Sequence, residues 1–151
     1  QGLILSGDQF IHAKGATPVD PTKSPDRDTR RIIPLNLSEP ILIVETGGSA
    51  SGLGFAPHGA GRHLSRRAYR RQVIESGKTE AAQVSDAAMG IDLRFFSGAP
   101  DITELPAAYK PAAKILAAMT QFNLARITGR ILPFGTIMAG DWEQNAPWRR
   151  R

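Results

Sequence analysis

Short apolar clusters, each cut off by turn-forming residues, recur along the chain and predict mixed, short elements. Residues 2–5 and 10–13 read as two short strands. From Thr17 to Arg30, Pro18, Pro21 and Pro25 alternate with Asp and Lys, which predicts a loop. Ile32-Ile33-Pro34 and the run Ile41 to Val44 read as buried strands, with Asn36-Leu37-Ser38-Glu39-Pro40 connecting them. Thr46 to Gly54 is rich in Gly and Ser and predicts a flexible approach to Phe55-Ala56-Pro57-His58. A helix is expected from about Leu64, because Arg66, Arg67, Arg70 and Arg71 share one arc at helical spacing. Leu64, Ala68, Tyr69 and Val73 take up much of the opposite side. Residues 79–88 suit a second short helix, and Ile91 to Phe96 alternates as a strand does. Pro111 can occupy the first turn of a helix whose Ala112, Ile115, Leu116 and Met119 form a core-packing stripe. Leu124 to Leu132 is a last strand, ending at Pro133-Phe134-Gly135. Strands and helices mix without regular alternation and no internal repeat is visible, so the expected class is α+β.

Length and composition narrow this further. A chain of 151 residues is about one domain's worth and buries roughly 70% of its unfolded surface. With 41% apolar and 22% charged residues, neither wholesale disorder nor a coiled coil is indicated. There are no cysteines. That removes disulfides, thiolate metal sites and cysteine nucleophiles, and it fits a reducing, cytoplasmic setting. The longest aliphatic run, Ile41-Leu42-Ile43-Val44, is far shorter than the roughly 20 residues that span a bilayer, so no membrane association is expected. The chain opens on Gln1-Gly2-Leu3 with neither an initiating methionine nor a signal peptide. It reads as a chain cut from something longer.

The net charge is +5, but its distribution says more than its total. Fourteen of the 19 basic residues are arginine, the side chain suited to bidentate phosphate contact. Arg149-Arg150-Arg151 form a bare tail, and 144–151 is set apart as a basic extension of a body at 1–143. Arg62, Arg66, Arg67, Arg70 and Arg71 fall within ten residues that contain no acid. Two readings stand for that cluster: a solvated helix face, or a phosphate-contacting surface for an anionic partner such as RNA.

Two nucleotide-site lookalikes fail. Gly77-Lys78-Thr79 imitates the end of a phosphate-binding loop, but the glycine required five positions before Gly77 is Gln72. Gly52 and Gly54 begin a dinucleotide fingerprint whose third glycine falls at Pro57. The segment His58-Gly59-Ala60-Gly61-Arg62 is more informative. Its glycines let the backbone approach an anion, the start of the basic helix adds partial positive charge, and Arg62 offers a fork for phosphate. A neutral imidazole there carries a lone pair that can attack phosphorus. The plainer reading is a loop histidine that only hydrogen-bonds, and spacing alone leaves both open.

The run Pro57-His58-Gly59-Ala60-Gly61-Arg62-His63-Leu64-Ser65-Arg66 resembles the signature of the RtcB family of RNA ligases. Three further stretches occur in the family's order. His12-Ala13-Lys14-Gly15-Ala16-Thr17 is similar to its basic-Gly-Ala segment, Arg31-Ile32-Ile33-Pro34 and the following strand to its Ile-Pro-Gly-Ser-Met stretch, and Ala107-Ala108-Tyr109-Lys110 to its Ala-Tyr-Lys. The resemblance covers essentially the whole chain as the C-terminal third or so of a member of a divergent branch.

The resemblance implies a GTP-dependent, manganese-dependent ligase, acting in tRNA splicing or RNA repair. It joins an RNA 3′-phosphate or 2′,3′-cyclic phosphate to a 5′-hydroxyl. It makes His58 the nucleophile that becomes guanylylated, and it places Asn36, Gly59, Ala60, Gly61 and Tyr109 around the nucleotide. Arg62 and Arg66 would grip RNA or triphosphate oxygens, and Lys14 would contact phosphate. The family's metal ligands precede this region, and His12 and His63 do not coincide with them, so no metal ligand is expected here. The chain departs from the family pattern at Asn36-Leu37-Ser38, at Ile41 where a serine is expected, and around Met138-Ala139-Gly140 where the family ends on a guanine-reading lysine. An alternative class is a noncatalytic RNA-binding module, or an inactive remnant, using the arginine helix.

Overall fold

The run Ile41 to Val44 becomes the middle strand of a three-stranded sheet in the computed structural model, which describes residues 3–23, 28, 30–46 and 53–140. In chain order the elements are β1 (Leu3–Ser6), β2 (Gln9–His12), β3 (Ala16–Pro18), β4 (Arg31–Ile33), β5 (Ile41–Thr46) and β6 (Phe55–Pro57). Then come α1 (Arg66–Ser76), α2 (Glu80–Ala88), β7 (Asp92–Phe95), α3 (Ala112–Gln121), β8 (Ala125–Ile131) and β9 (Gly135–Met138). Helices and short, mostly antiparallel strands mix without a repeating unit, which is an α+β fold. None of the described helices is long and apolar enough to cross a membrane.

The described residues form two compact units. The first draws on the chain up to Leu35, on Glu39–Gly61 and on Lys110–Leu132. In it β1 and β2 form a hairpin in which Leu3 faces His12 and Ser6 faces Gln9, and β3 runs antiparallel to β6. β5 lies between β4 and β8, antiparallel to both, with an irregularity between Ile43 and Val44. Leu42 and Val44 are essentially fully buried while their neighbours on the strand are less so, the period-two pattern of a strand with one core face. Burying each such side chain contributes about 1.5–3 kcal/mol relative to leaving it exposed. Helix α3 begins after Pro111, buries Met119 and packs on β8.

The second unit comprises Asn36–Ser38, Arg62–Tyr109 and the chain from Pro133 on. Its core is Leu37, Tyr69, Val73, Ile102, Leu105 and Ala108. Helix α1 starts where Ser65 accepts a hydrogen bond from the Ala68 amide at 3.2 Å and stops at Gly77, whose φ of 68° suits a residue without a side chain. Thr79 caps α2 in the same way, through Ala82 at 3.2 Å. Tyr69 and Val73 turn inward from α1, whereas Ala68, expected on the same face, is exposed.

Three sequence expectations need correction. The stretch from Thr17 is not all loop: Thr17 and Pro18 belong to β3, and Pro21–Lys23 form a 3-10 turn. β9 follows Pro133-Phe134 and pairs in parallel with β7, Asp92 opposite Gly135 and Phe95 opposite Met138. Four residues paired about forty positions away leave little local signal. Two 3-10 turns, Ile102–Glu104 and Pro106–Ala108, occupy what had no predicted element. Most of the glycine-rich approach (47–52) and the basic tail (144–151) lie outside the described residues.

Candidate functional site

His58 follows directly on β6, and its backbone continues the pairing of that strand with β3. Its amide donates to the Gly15 carbonyl at 3.3 Å, next to the register pair Ala16 and Pro57. A side chain at Gly59 would put its Cβ 2.9 Å from the Pro34 carbonyl oxygen, so glycine is required there by space. Gly61 is required by conformation instead: its φ is +69°, and nothing crowds the position. Its carbonyl accepts from the Lys110 amide at 3.0 Å. Ala60 between them is buried. His58 itself is exposed, so an imidazole open to solvent stands on a closely constrained backbone. Lys14, also exposed, precedes the glycine whose carbonyl holds His58.

All of these residues belong to the first unit. Arg62, Arg66, Tyr109 and Asn36 belong to the second, where the first three converge. Arg62 and Tyr109 form an isolated antiparallel bridge, and the His63 amide donates to the Ala108 carbonyl at 2.9 Å. The Arg62 guanidinium lies over the Tyr109 ring, 5.2 Å from its centroid, and Nη2 donates to the Thr103 carbonyl at 2.5 Å. Its Nη1 stands 3.4 Å from Glu104 Oε1. Arg66 reaches Asp101 Oδ2 at 3.0 Å and the Thr103 hydroxyl at 2.9 Å, and it also pairs with Glu104. The Tyr109 hydroxyl donates to Glu104 Oε2. Asn36 closes a local turn by accepting from the Ser38 amide at 3.1 Å.

The electrostatics follow from this packing. Burial, and then the hydrogen bond and negative charge of Glu104, push the Tyr109 hydroxyl up to about 12. It therefore remains a protonated donor at neutral pH. Within the arginine cluster, Arg62 and Arg66 are engaged by carboxylates. Arg67 and Arg71, on the same helix, are exposed.

Sequence reading missed Asp101, Thr103 and Glu104. One local sign was available: Asp followed two residues later by Thr is a capping pattern, and Asp101 Oδ1 does accept from the Thr103 amide at 3.0 Å. No short motif marks Glu104, whose arginine partners lie about forty residues earlier. Among the described residues no three His, Cys, Asp or Glu side chains come together as a metal site. A groove of about 390 Å³ lies in the second unit and is lined by Tyr69, Val73, Ala87, Met89 and Leu105 among others. Ala107 of the Ala-Ala-Tyr-Lys stretch lines it, but none of the predicted site residues does.

A family profile described as tRNA-splicing ligase RtcB matches residues 4–139. The tRNA-splicing ligase RtcB of Aeropyrum pernix is 31% identical over 140 residues, covering 83% of this chain and 27% of that protein. That of Pyrobaculum aerophilum is 31% identical over 140 residues, covering 85% and 28% respectively. For the Pyrococcus abyssi protein the figures are 28% over 138 residues, with 83% and 14% covered. The chain thus spans no more than about a quarter of the length of these relatives.

Proposed function

This chain belongs to the tRNA-splicing ligase RtcB family, and from that premise we propose that it supplies the nucleophile-bearing part of an RNA ligase. The substrates are RNA ends carrying a 3′-phosphate or 2′,3′-cyclic phosphate and a 5′-hydroxyl, with GTP as the energy source. The proposed setting is the cytoplasm, in keeping with a chain that has no cysteine.

The reading is carried by His58, an exposed imidazole whose backbone is tied to Gly15 on one side, with Gly59 pressed against Pro34 and Gly61 bonded to Lys110 on the other. A backbone held this way fixes the point from which the imidazole reaches its target. An imidazole nitrogen of His58 attacks the α-phosphorus of GTP, forming a P–N bond as the bond to pyrophosphate breaks. A 3′-phosphate oxygen of the RNA, released where needed when water opens the cyclic phosphate at its 2′-oxygen, then displaces the histidine. Finally the 5′-hydroxyl attacks the activated 3′-phosphate and GMP leaves. Gly59, Ala60 and Gly61 line the nucleotide along their backbone, with Asn36 and Tyr109 as further contacts. Arg62, Arg66 and Lys14 serve the phosphates. Tyr109, protonated at neutral pH, can donate a hydrogen bond but cannot act as a base there.

Manganese, when bound, would polarise the phosphate oxygens; we assign its ligands to residues outside this chain. The alternative is a noncatalytic RNA-binding module that uses the arginine helix, on which Arg67 and Arg71 are exposed. The test is RNA sealing by the complete ligase polypeptide that we propose carries this chain. An RNA with a 3′-phosphate and one with a 5′-hydroxyl should be joined only when both GTP and manganese are supplied. Binding of RNA without joining, under any nucleoside triphosphate, would favour the module instead.

A further inference from the structure

Three motif side chains share one carboxylate that the sequence motifs do not contain. Oε1 of Glu104 is met by Arg62 Nη1 at 3.4 Å and by Arg66 Nη2, and Oε2 accepts from the Tyr109 hydroxyl. The carboxylate is largely buried, its side chain 17% exposed, so these attractions are only partly screened by water. The consequences for Arg62 are directional. One fork nitrogen is drawn to the carboxylate and the phenol, and the other is fixed on the Thr103 carbonyl. Its Nε is buried without a hydrogen-bond partner among the described residues. Removing the negative charge would take away the carboxylate that Arg62 and Arg66 share, leaving Asp101 as the partner of Arg66 and no carboxylate on Arg62.

Asp101 has a different task. It also pairs with Arg66, but its Oδ1 accepts from the Thr103 amide at 3.0 Å and hydroxyl at 2.7 Å, which makes it the cap of the turn at Ile102–Glu104. Glu104 spends both oxygens on motif side chains.

We propose that Glu104 is the positioning residue of the ligase site: by holding Arg62 and Tyr109 through its two oxygens, it sets the geometry in which they meet the nucleotide and RNA phosphates, without touching either itself. This assignment rests on the ligase reading given above. It goes beyond that reading because it makes an acid, in a surround of arginines that bind anions, a requirement for activity.

The experiment compares the complete ligase polypeptide with its Glu104→Gln and Glu104→Asp variants, reading ligation rate, KM for GTP and thermal midpoint together. Glu104→Gln keeps the shape and loses the charge, and the ligation rate should fall roughly 30- to 100-fold, the scale of a misplacement near 1 Å. Glu104→Asp restores the charge with a shorter reach and should recover part of the loss, to about three- to tenfold below the parent, a rescue that charge-assisted bonds predict. A Gln variant within about twofold of the parent in rate overturns the assignment, since positioning errors of this kind cost far more. Equal losses in both variants, matched by equal drops in thermal midpoint, also overturn it, since that is a structural role. Should the Gln variant not fold, the Asp variant decides: a reduced rate at an undiminished thermal midpoint supports positioning, and a parental rate contradicts it. A parent that joins no RNA at all overturns the ligase reading first, and Glu104 with it.

Discussion

His58 to Gly61 and Arg62 to Arg66 are consecutive in the chain but are held by different forces. The first stretch is fixed by its backbone, through the bond from His58 to Gly15, the space denied at Gly59 by Pro34 and the positive φ of Gly61. The second stretch has backbone pairing too, in the Arg62–Tyr109 bridge and the bond from His63 to Ala108, but adds side-chain ties, with Arg62 and Arg66 drawn to Glu104, Asp101 and Thr103. A nucleophile has to be placed once and presented openly, which backbone does well. In the proposed reading Arg62 and Arg66 have to keep long side chains pointed in one direction, and Glu104 supplies the counter-charge for both.

Substitutions can break this contrast or sharpen it. The largest loss of stability is expected from Leu105→Ala, beneath the side-chain-held stretch: Leu105 is 2% exposed in the core of its unit. Emptying that position should cost about 2–5 kcal/mol, read as a shift in urea midpoint. Gly59→Ala tests the backbone-held stretch, since its new Cβ would lie 2.9 Å from a carbonyl oxygen. We expect about 1–3 kcal/mol of strain there and a disproportionate loss of activity through displacement of His58. A Gly59→Ala variant with parental stability and activity would mean that the backbone contact is not what places the imidazole. Ser65→Ala removes the cap of α1 and should cost about 1 kcal/mol by the same measurement. The smallest effect is alkaline. Tyr109 holds its proton more tightly folded than unfolded, with its pKa raised from 10.0 to about 12. The stability this contributes is complete below pH 10 and is lost as pH rises from 10 towards 12. Tyr109→Phe should flatten that decline, and an unchanged pH profile would place the titrating group elsewhere.

The parts of the fold legible in the sequence were those whose signal is local. The stripe of α3, the basic helix with Ser65 before it and Gly77 after it, and the apolar run of β5 each carry their pattern within a dozen residues. β9 did not show because four residues cannot establish a period, and its partner β7 is distant in the chain. At the site, His-Gly-Ala-Gly was informative because its glycines answer to spatial and backbone constraints that leave residue types as evidence. Glu104 was opaque for the opposite reason. A carboxylate can pair with any arginine the fold brings near, and nothing in its neighbours along the chain says which.

The central claim is that His58 becomes covalently joined to a nucleotide. The direct measurement is incubation of the complete ligase polypeptide with manganese and GTP labelled at the α-phosphate, followed by acid treatment of the denatured protein. The account predicts a label that survives denaturation, is released by acid as a P–N bond is, and is absent from His58→Ala. Labelling of His58→Ala as strong as that of the parent, or no labelling of the parent, would contradict it.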